Sequence, residues 1–278
     1  MVHRMAQAST QSPTVTAFQA AVDPTARNSI SAHHYVEMLT AEACRHRAVR
    51  HPYLKALATG ALPDTRQALT DFARHYYGYS AHFPRYLTAT ISRLESAPHR
   101  KALLQNLVEE SGDYHEEELA LLESRGVKRE WIVGVPHPEL FRRFREALGL
   151  QGDFGIDGVE VTCWRELFYD TMAHGSAAEA VGALGLGTET VVSLIYAHFV
   201  AALERVDLPP QATVFFPLHV DVDDAHQETL KQIAVDLART DEGRRGLERG
   251  MRKALFLRAS FWDFLHERAF GLGEEARA

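Results

Sequence analysis

The stretch Phe215-Phe216-Pro217-Leu218-His219-Val220-Asp221-Val222-Asp223-Asp224-Ala225-His226 carries three metal-capable side chains at helical spacing. At about 100° per residue, His219, Asp223 and His226 fall within an arc of about 60° on one helix face. A rise of about 1.5 Å per residue sets His219 and His226 roughly 10 Å apart along the axis, which is long for one small ion and suits two adjacent ones. Imidazole and carboxylate on a shared face point to a dinuclear metal centre. The same acids, with Asp221 and Asp224, also fit a solvated helix start, where the positive end of the helix dipole favours negative charge.

A dinuclear site in a helix bundle draws inward-facing carboxylates and histidines from several helices, so the rest of the chain must supply them. Glu189 lies in LGLGTETVVSLIY, a mostly apolar stretch, where a carboxylate either meets a partner, suffers a costly burial or turns to solvent. NLVEESG offers Glu109 and Glu110. Steps of four and three from Leu103 and Leu107 put Glu110 on the apolar face, whereas Glu116, Glu117 and Glu118 read as a solvated face. His137, in VPHPELF, precedes the stripe of Leu140, Phe144 and Leu148 and can turn inward from a helix start, with His115 as its competitor. Tyr76, Tyr79 and His82 are candidates for a substrate pocket near Pro84.

The elements that would hold these residues read as helices throughout, separated by short Pro, Gly or Asp punctuation, with no strand series. The expected helices run from Ile30 to about Arg47, over 51–57, and from Pro63 to about Leu94 with a kink at Pro84, since an interior proline removes a hydrogen bond. The next starts at Ala97-Pro98 and continues past a fraying point at Gly112 to a stop at Gly126. HPELFRRFREALGL follows, then a loop over 149–158, VEVTCWRELFYDTMAHG, and a long apolar helix that ends before Pro209. Gly182, Gly185 and Gly187 in that last helix each cost about 1 kcal/mol of propensity, which close approach of another element or a ligand would justify. Two final helices cover 220–240 and 242–270. With no repeat and no linker, the reading is one all-α domain over 21–272, a disordered lead over 1–20 and a frayed tail over 273–278.

Composition narrows the function. The 278 residues are 46% hydrophobic and 24% charged, enough for a sizeable core. A formal charge of −7 and a pI near 6.1 argue against nucleic-acid partners, for which a basic face is expected. Cys44 and Cys163 are the only cysteines, so neither a disulfide framework nor a cysteine zinc site is available, and neither has a recognisable base beside it for nucleophilic catalysis. No apolar run reaching the roughly 18 residues of a membrane span is apparent, and no signal peptide. A cytoplasmic protein without membrane or nucleic-acid partners, and a homodimer, are expected.

In combination, NLVEESG, HPELFRRFREALG, GLGTETVVSLIY and FFPLHVDVDDAH, in that order, resemble the haem-oxygenase-like diiron oxidases and oxygenases. The specific part is His-x3-Asp-x2-His about thirty residues after the Glu of GTE. The resemblance implies a haem-oxygenase-like single-domain bundle of about seven core helices, and six ligands at Glu110 (or Glu109), His137, Glu189, His219, Asp223 and His226. It departs from many relatives by about 26 residues between the glutamate pair and His137, where an insertion or a substitute ligand from 116–123 has to be accommodated. It further implies two Fe(II)/Fe(III) ions, O2 as co-substrate reacting through a peroxo-diferric intermediate, and an external electron donor. Imidazole and carboxylate ligands without sulfur suit iron. N-oxygenation of a small amine-type metabolite in specialised metabolism is the expected reaction, motivated by the acidic insertion. Oxidative C–C cleavage or decarboxylation of an amino acid or fatty acid is the alternative, and a non-catalytic iron or haem protein the second.

Overall fold

The structure, a computed structural model, describes residues 30–152, 157–221 and 224–275, apart from the side chains of 221–226 and 272–275. Among the described residues every regular element is a helix: α1 Ala32–Arg45, α2 Pro52–Thr59, α3 Thr65–Ser80, α4 Phe83–Arg93, α5 Ala97–Glu109, α6 Glu116–Ser124, α7 Arg129–Ile132, α8 His137–Ala147, α9 Val159–His174 and α10 Ala177–Val181. A π-helical segment, Gly182–Glu189, leads into α11 Thr190–Leu203, followed by α12 Pro210–Thr213, α13 Phe215–Asp221, α14 Asp224–Leu237 and α15 Asp241–Glu275. The expected disordered lead lies outside the described residues. The last helix runs five residues past the expected end, to Glu275.

Local chemistry sets the boundaries. Ser31, Asp64 and Ser96 accept hydrogen bonds from the backbone N–H of His34, Gln67 and His99, satisfying donors that a helix start leaves orphaned. Pro52, Pro84, Pro98, Pro138 and Pro210 all occupy first-turn positions, where a missing N–H costs nothing. Pro84 therefore does not kink one long helix. Its ring would clash with the carbonyl four residues back, so α3 stops at Ser80 and Pro84 opens α4. The expected helix through Gly112 is likewise cut, because Gly112 adopts φ +92, a left-handed conformation that ends a helix.

The stretch Ala177–Leu203 is long and apolar enough to cross a membrane, contrary to the sequence reading. Most of it is buried inside the fold. Its glycines explain why. A Cβ on Gly182 would lie 2.2 Å from the Leu247 carbonyl oxygen, and one on Gly187 would lie 2.7 Å from Ala254 Cβ. The small residues let the π segment pack directly on α15, burying apolar surface against protein.

The core between these helices is rich in rings. Phe72, Tyr76, Phe141, Phe199, Phe216 and Trp262 form a continuous buried set, with Phe199 and Phe216 stacked at 5.4 Å and Tyr79 on Trp164 at 3.8 Å. Such pairs contribute about 1 kcal/mol each beyond their buried area. They give a stiff wall on which polar side chains can be fixed.

Candidate metal centre

Glu110, His137 and His219 come together from three separate elements, each offering a ligand atom within 4.8 Å of the others. Glu110 follows the last turn of α5, His137 is the first residue of α8, and His219 lies in α13. Both Glu110 and His137 are buried, at 5% and 6% exposure. The His219 ring packs across His137 at 4.8 Å and over Phe215 at 4.4 Å.

Tautomers follow from the partners. His219 Nδ1 is 2.6 Å from the Phe215 carbonyl oxygen, which can only accept, so Nδ1 carries the proton and Nε2 keeps a lone pair for a ligand. His137 Nδ1 sits 3.0 Å from a Glu110 carboxylate oxygen, yet this buried nitrogen makes no hydrogen bond. Two groups this close that do not aim at each other fit a shared third atom, as ligands of one ion would. Tyr114 Oη lies 2.9 Å from His137 Nε2 and can accept its proton, the outer hydrogen bond that metal-bound histidines usually make. The donor set, two imidazoles and a carboxylate without sulfur, suits iron.

Glu189 ends the π segment, 8% exposed, and lines the same cavity as the three candidate ligands. π-helical turns are frequent at functional sites. The cavity has about 490 Å³ of empty space, including its mouth. Of the expected pocket residues, Tyr76 and Tyr79 line it. His82 does not, and its Nδ1 lies 3.1 Å from Arg85 at the start of α4. Glu109 is buried but takes a hydrogen bond from Gln105 and lies 3.7 Å from His115, outside the triad. His115, itself exposed, caps α6. The insertion glutamates Glu116 and Glu123 pair with Arg129 on the surface. The side chains of Asp223 and His226 lie outside the described residues. Cys163 is exposed and burial pushes the Cys44 thiol up, the opposite of an activated nucleophile.

Several cavity residues had not been anticipated: Arg258 from α15, Tyr196 from α11, Ser80, Thr188 and Phe215. Tyr76 and Tyr196 share a hydrogen bond of 2.8 Å between their hydroxyls. Arg258, 1% exposed, lies over the rings of Trp164 and Tyr79 at 5.4 and 5.8 Å. A signal existed for it: Arg258 is a lone charge in ALFLRASFW, with Met251 and Trp262 on the same helical face.

A family model described as iron-containing redox enzyme matches residues 70–259. The chain belongs to this family. A 4-chloro-allylglycine synthase of Streptantibioticus cattleyicolor is 25% identical over 243 residues, 86% of this chain and 85% of that protein. A CADD-like protein from Nostoc punctiforme has a similar solved structure, with TM-score 0.66 and 15% identity over 86% of this chain and 98% of the other. A domain with a heme oxygenase-like fold from Shewanella denitrificans matches at TM-score 0.58 and 18% identity, over 84% and 90% of the two chains. The expected all-α, haem-oxygenase-like fold is thus present. The matched span of the iron-containing redox family holds all three residues of the triad, Glu189 and Arg258.

Proposed function

We propose that the protein is a non-haem diiron oxidase that uses O2 to oxidise a small amine-bearing metabolite, with Glu110, His137, Glu189, His219, Asp223 and His226 as the ligands. The observation that carries this reading is the Glu110–His137–His219 triad, two of its members buried and the third half-buried, opening into the cavity that Glu189 also lines. Two bound irons would supply the reduction of O2 and the removal of electrons from substrate. The protein's part is positional. Phe215 fixes the tautomer of His219, Tyr114 orients the His137 ring, the aromatic wall limits water, and the cavity offers space beside the proposed ligands. Three carboxylates against two ferrous ions leave a net charge of about +1, far easier to bury than the bare ions. A haem needs only one or two axial ligands and gives no reason for this convergence.

Of the two reactions, oxidative C–C fragmentation is the better supported. The name of the Streptantibioticus relative describes the making of an amino acid with a terminal alkene, which is chemistry at carbon. N-oxygenation rested on the acidic insertion, whose glutamates Glu116 and Glu123 face Arg129 and do not line the cavity. Anaerobic Fe(II) titration followed by O2 and product analysis tests the proposal. Binding of two equivalents, an O2-dependent absorbance transient and a chain-shortened or alkene product are expected. Saturation at one equivalent would sink the diiron reading, and an N-hydroxylated product would restore N-oxygenation.

A further inference from the structure

Among the described residues, buried side-chain polar atoms without a hydrogen-bond partner concentrate around this cavity: Tyr79 Oη, Ser80 Oγ, His137 Nδ1, and Arg258 Nε and Nη1. Buried polar groups are almost always paired, so such a concentration calls for a ligand. A bound metal would account for His137 Nδ1. It would not account for the others. Arg258 is the cavity's single cation among its described lining residues, and no described carboxylate pairs with it. Aromatic rings and the Tyr76 hydroxyl surround its guanidinium, whereas a charge removed from water needs an opposite charge and further hydrogen bonds to offset the loss. The carboxylates that also line the cavity, Glu110 and Glu189, are those that the metal reading takes as ligands.

The neighbouring phenols have the same polarity. In the Tyr76–Tyr196 hydrogen bond one hydroxyl hydrogen is used, and the accepting phenol retains its own for a further acceptor. Tyr79, beside the Thr188 hydroxyl, and Ser80 each add a hydroxyl without a well-formed hydrogen bond. One guanidinium ringed by donors suits a monoanion with two acceptor oxygens, and the absence of a second cation from the described lining disfavours a phosphate dianion.

We infer that Arg258, with the hydroxyls of Tyr79 and Ser80, binds the carboxylate of the substrate, which is therefore an amino acid or short-chain acid held with its charged end on α15 and its chain toward the triad. This rests on the reading of the cavity as an iron-dependent oxidase site. It makes Arg258 a substrate-binding residue that the metal-ligand pattern does not contain.

Calorimetry on the iron-loaded, anaerobic protein tests it with matched probes: L-norleucine, hexanoate and L-lysine, each carrying a carboxylate, against pentylamine and 1,5-diaminopentane, which lack it. Wild type should bind the best carboxylate probe at least 10-fold more tightly than its amine counterpart. Arg258→Gln should abolish that preference while holding iron as wild type does, and Arg258→Lys should restore part of it. Should Arg258→Gln fail to fold, Tyr79→Phe carries the test, with a several-fold weakening of the acids and unchanged amines. A wild type that binds no carboxylate probe, or an Arg258→Gln protein that binds acids as wild type does, overturns the inference and leaves the metal centre standing. Absence of iron binding in wild type instead overturns the oxidase reading itself.

Discussion

Glu110 and His137 are joined twice: the His137 backbone N–H donates to the Glu110 carbonyl at 3.1 Å, and their side chains approach to 3.0 Å. The intervening residues, about 26 of them, leave the bundle at Glu110, form α6 and α7, and return to the residue they left. A segment closed in this way lengthens the chain while keeping Glu110 and His137 side by side. It also separates the glutamate pair, since Glu110 sits at the closure while Glu109 turns to Gln105. Glu110→Ala and His219→Ala should each lose at least half of the bound iron, measured by elemental analysis of folded protein. Glu109→Ala should retain it. Equal losses from Glu109→Ala and Glu110→Ala would mean that the backbone closure does not select the ligand.

Gly112 holds that closure. Its φ of +92 is unsuited to an L side chain, its carbonyl accepts from Gly134 N–H at 2.8 Å, and a Cβ would lie 2.5 Å from Val135 N. Gly112→Ala should cost roughly 2 kcal/mol of unfolding free energy from backbone strain. It should also weaken iron binding by shifting His137 against Glu110. A denaturation midpoint and iron content equal to wild type would refute this.

What the sequence revealed and what it hid divide along physical lines. Glu189 was legible because a carboxylate in an apolar helix is conspicuous, and Glu110 because steps of three and four from leucines fix a helix face. His219 was legible by type, and the structure brings it to Glu110 and His137 in a group that could hold a metal ion. The same burial argument applied to Arg258, but attention to metal ligands passes over a cation. The return of the insertion to Glu110 was hidden, since it depends on a left-handed glycine and a backbone bond between distant residues. So was the π winding before Glu189, because π and α turns draw on the same small and apolar residues. His82 misled because Pro84 was assigned a kink within one helix when it starts another.

The π segment is predicted to be sensitive to single methyl groups. A Cβ at Gly187 would meet Ala254 Cβ at 2.7 Å and the Met251 carbonyl oxygen at 2.9 Å, and neither can rotate away. Gly187→Ala should therefore destabilise by about 1–3 kcal/mol through overpacking. Because Glu189 and Arg258 flank this contact in sequence, iron content and acid binding should fall together. Gly271→Ala, with nothing within 4 Å of the added methyl, is the control and should be neutral or slightly stabilising. Stability of Gly187→Ala equal to that control would show that the segment is free to move.

A last prediction concerns acid stability, away from the metal. Asp71 on α3 is 5% exposed and receives two hydrogen bonds from Arg268 on α15, at 2.6 and 2.8 Å, with His75 3.4 Å away. Burial alone would raise its pKa. The attraction of His75 and the hydrogen bonds from Arg268 outweigh that and hold the carboxyl down at about 2, against an ordinary value of 3.8. Because the folded value is the lower one, protonation favours the unfolded chain. The stabilisation is complete above about pH 4 and is lost as pH falls through about 2. It amounts to about 2 kcal/mol at neutral pH, before screening of the partly exposed Arg268 reduces it. Asp71→Asn should be less stable than wild type at pH 7, and the difference should shrink steadily between pH 4 and pH 2 in urea titrations. A deficit that stays constant across that window would assign the loss to packing and remove the ion pair from the account.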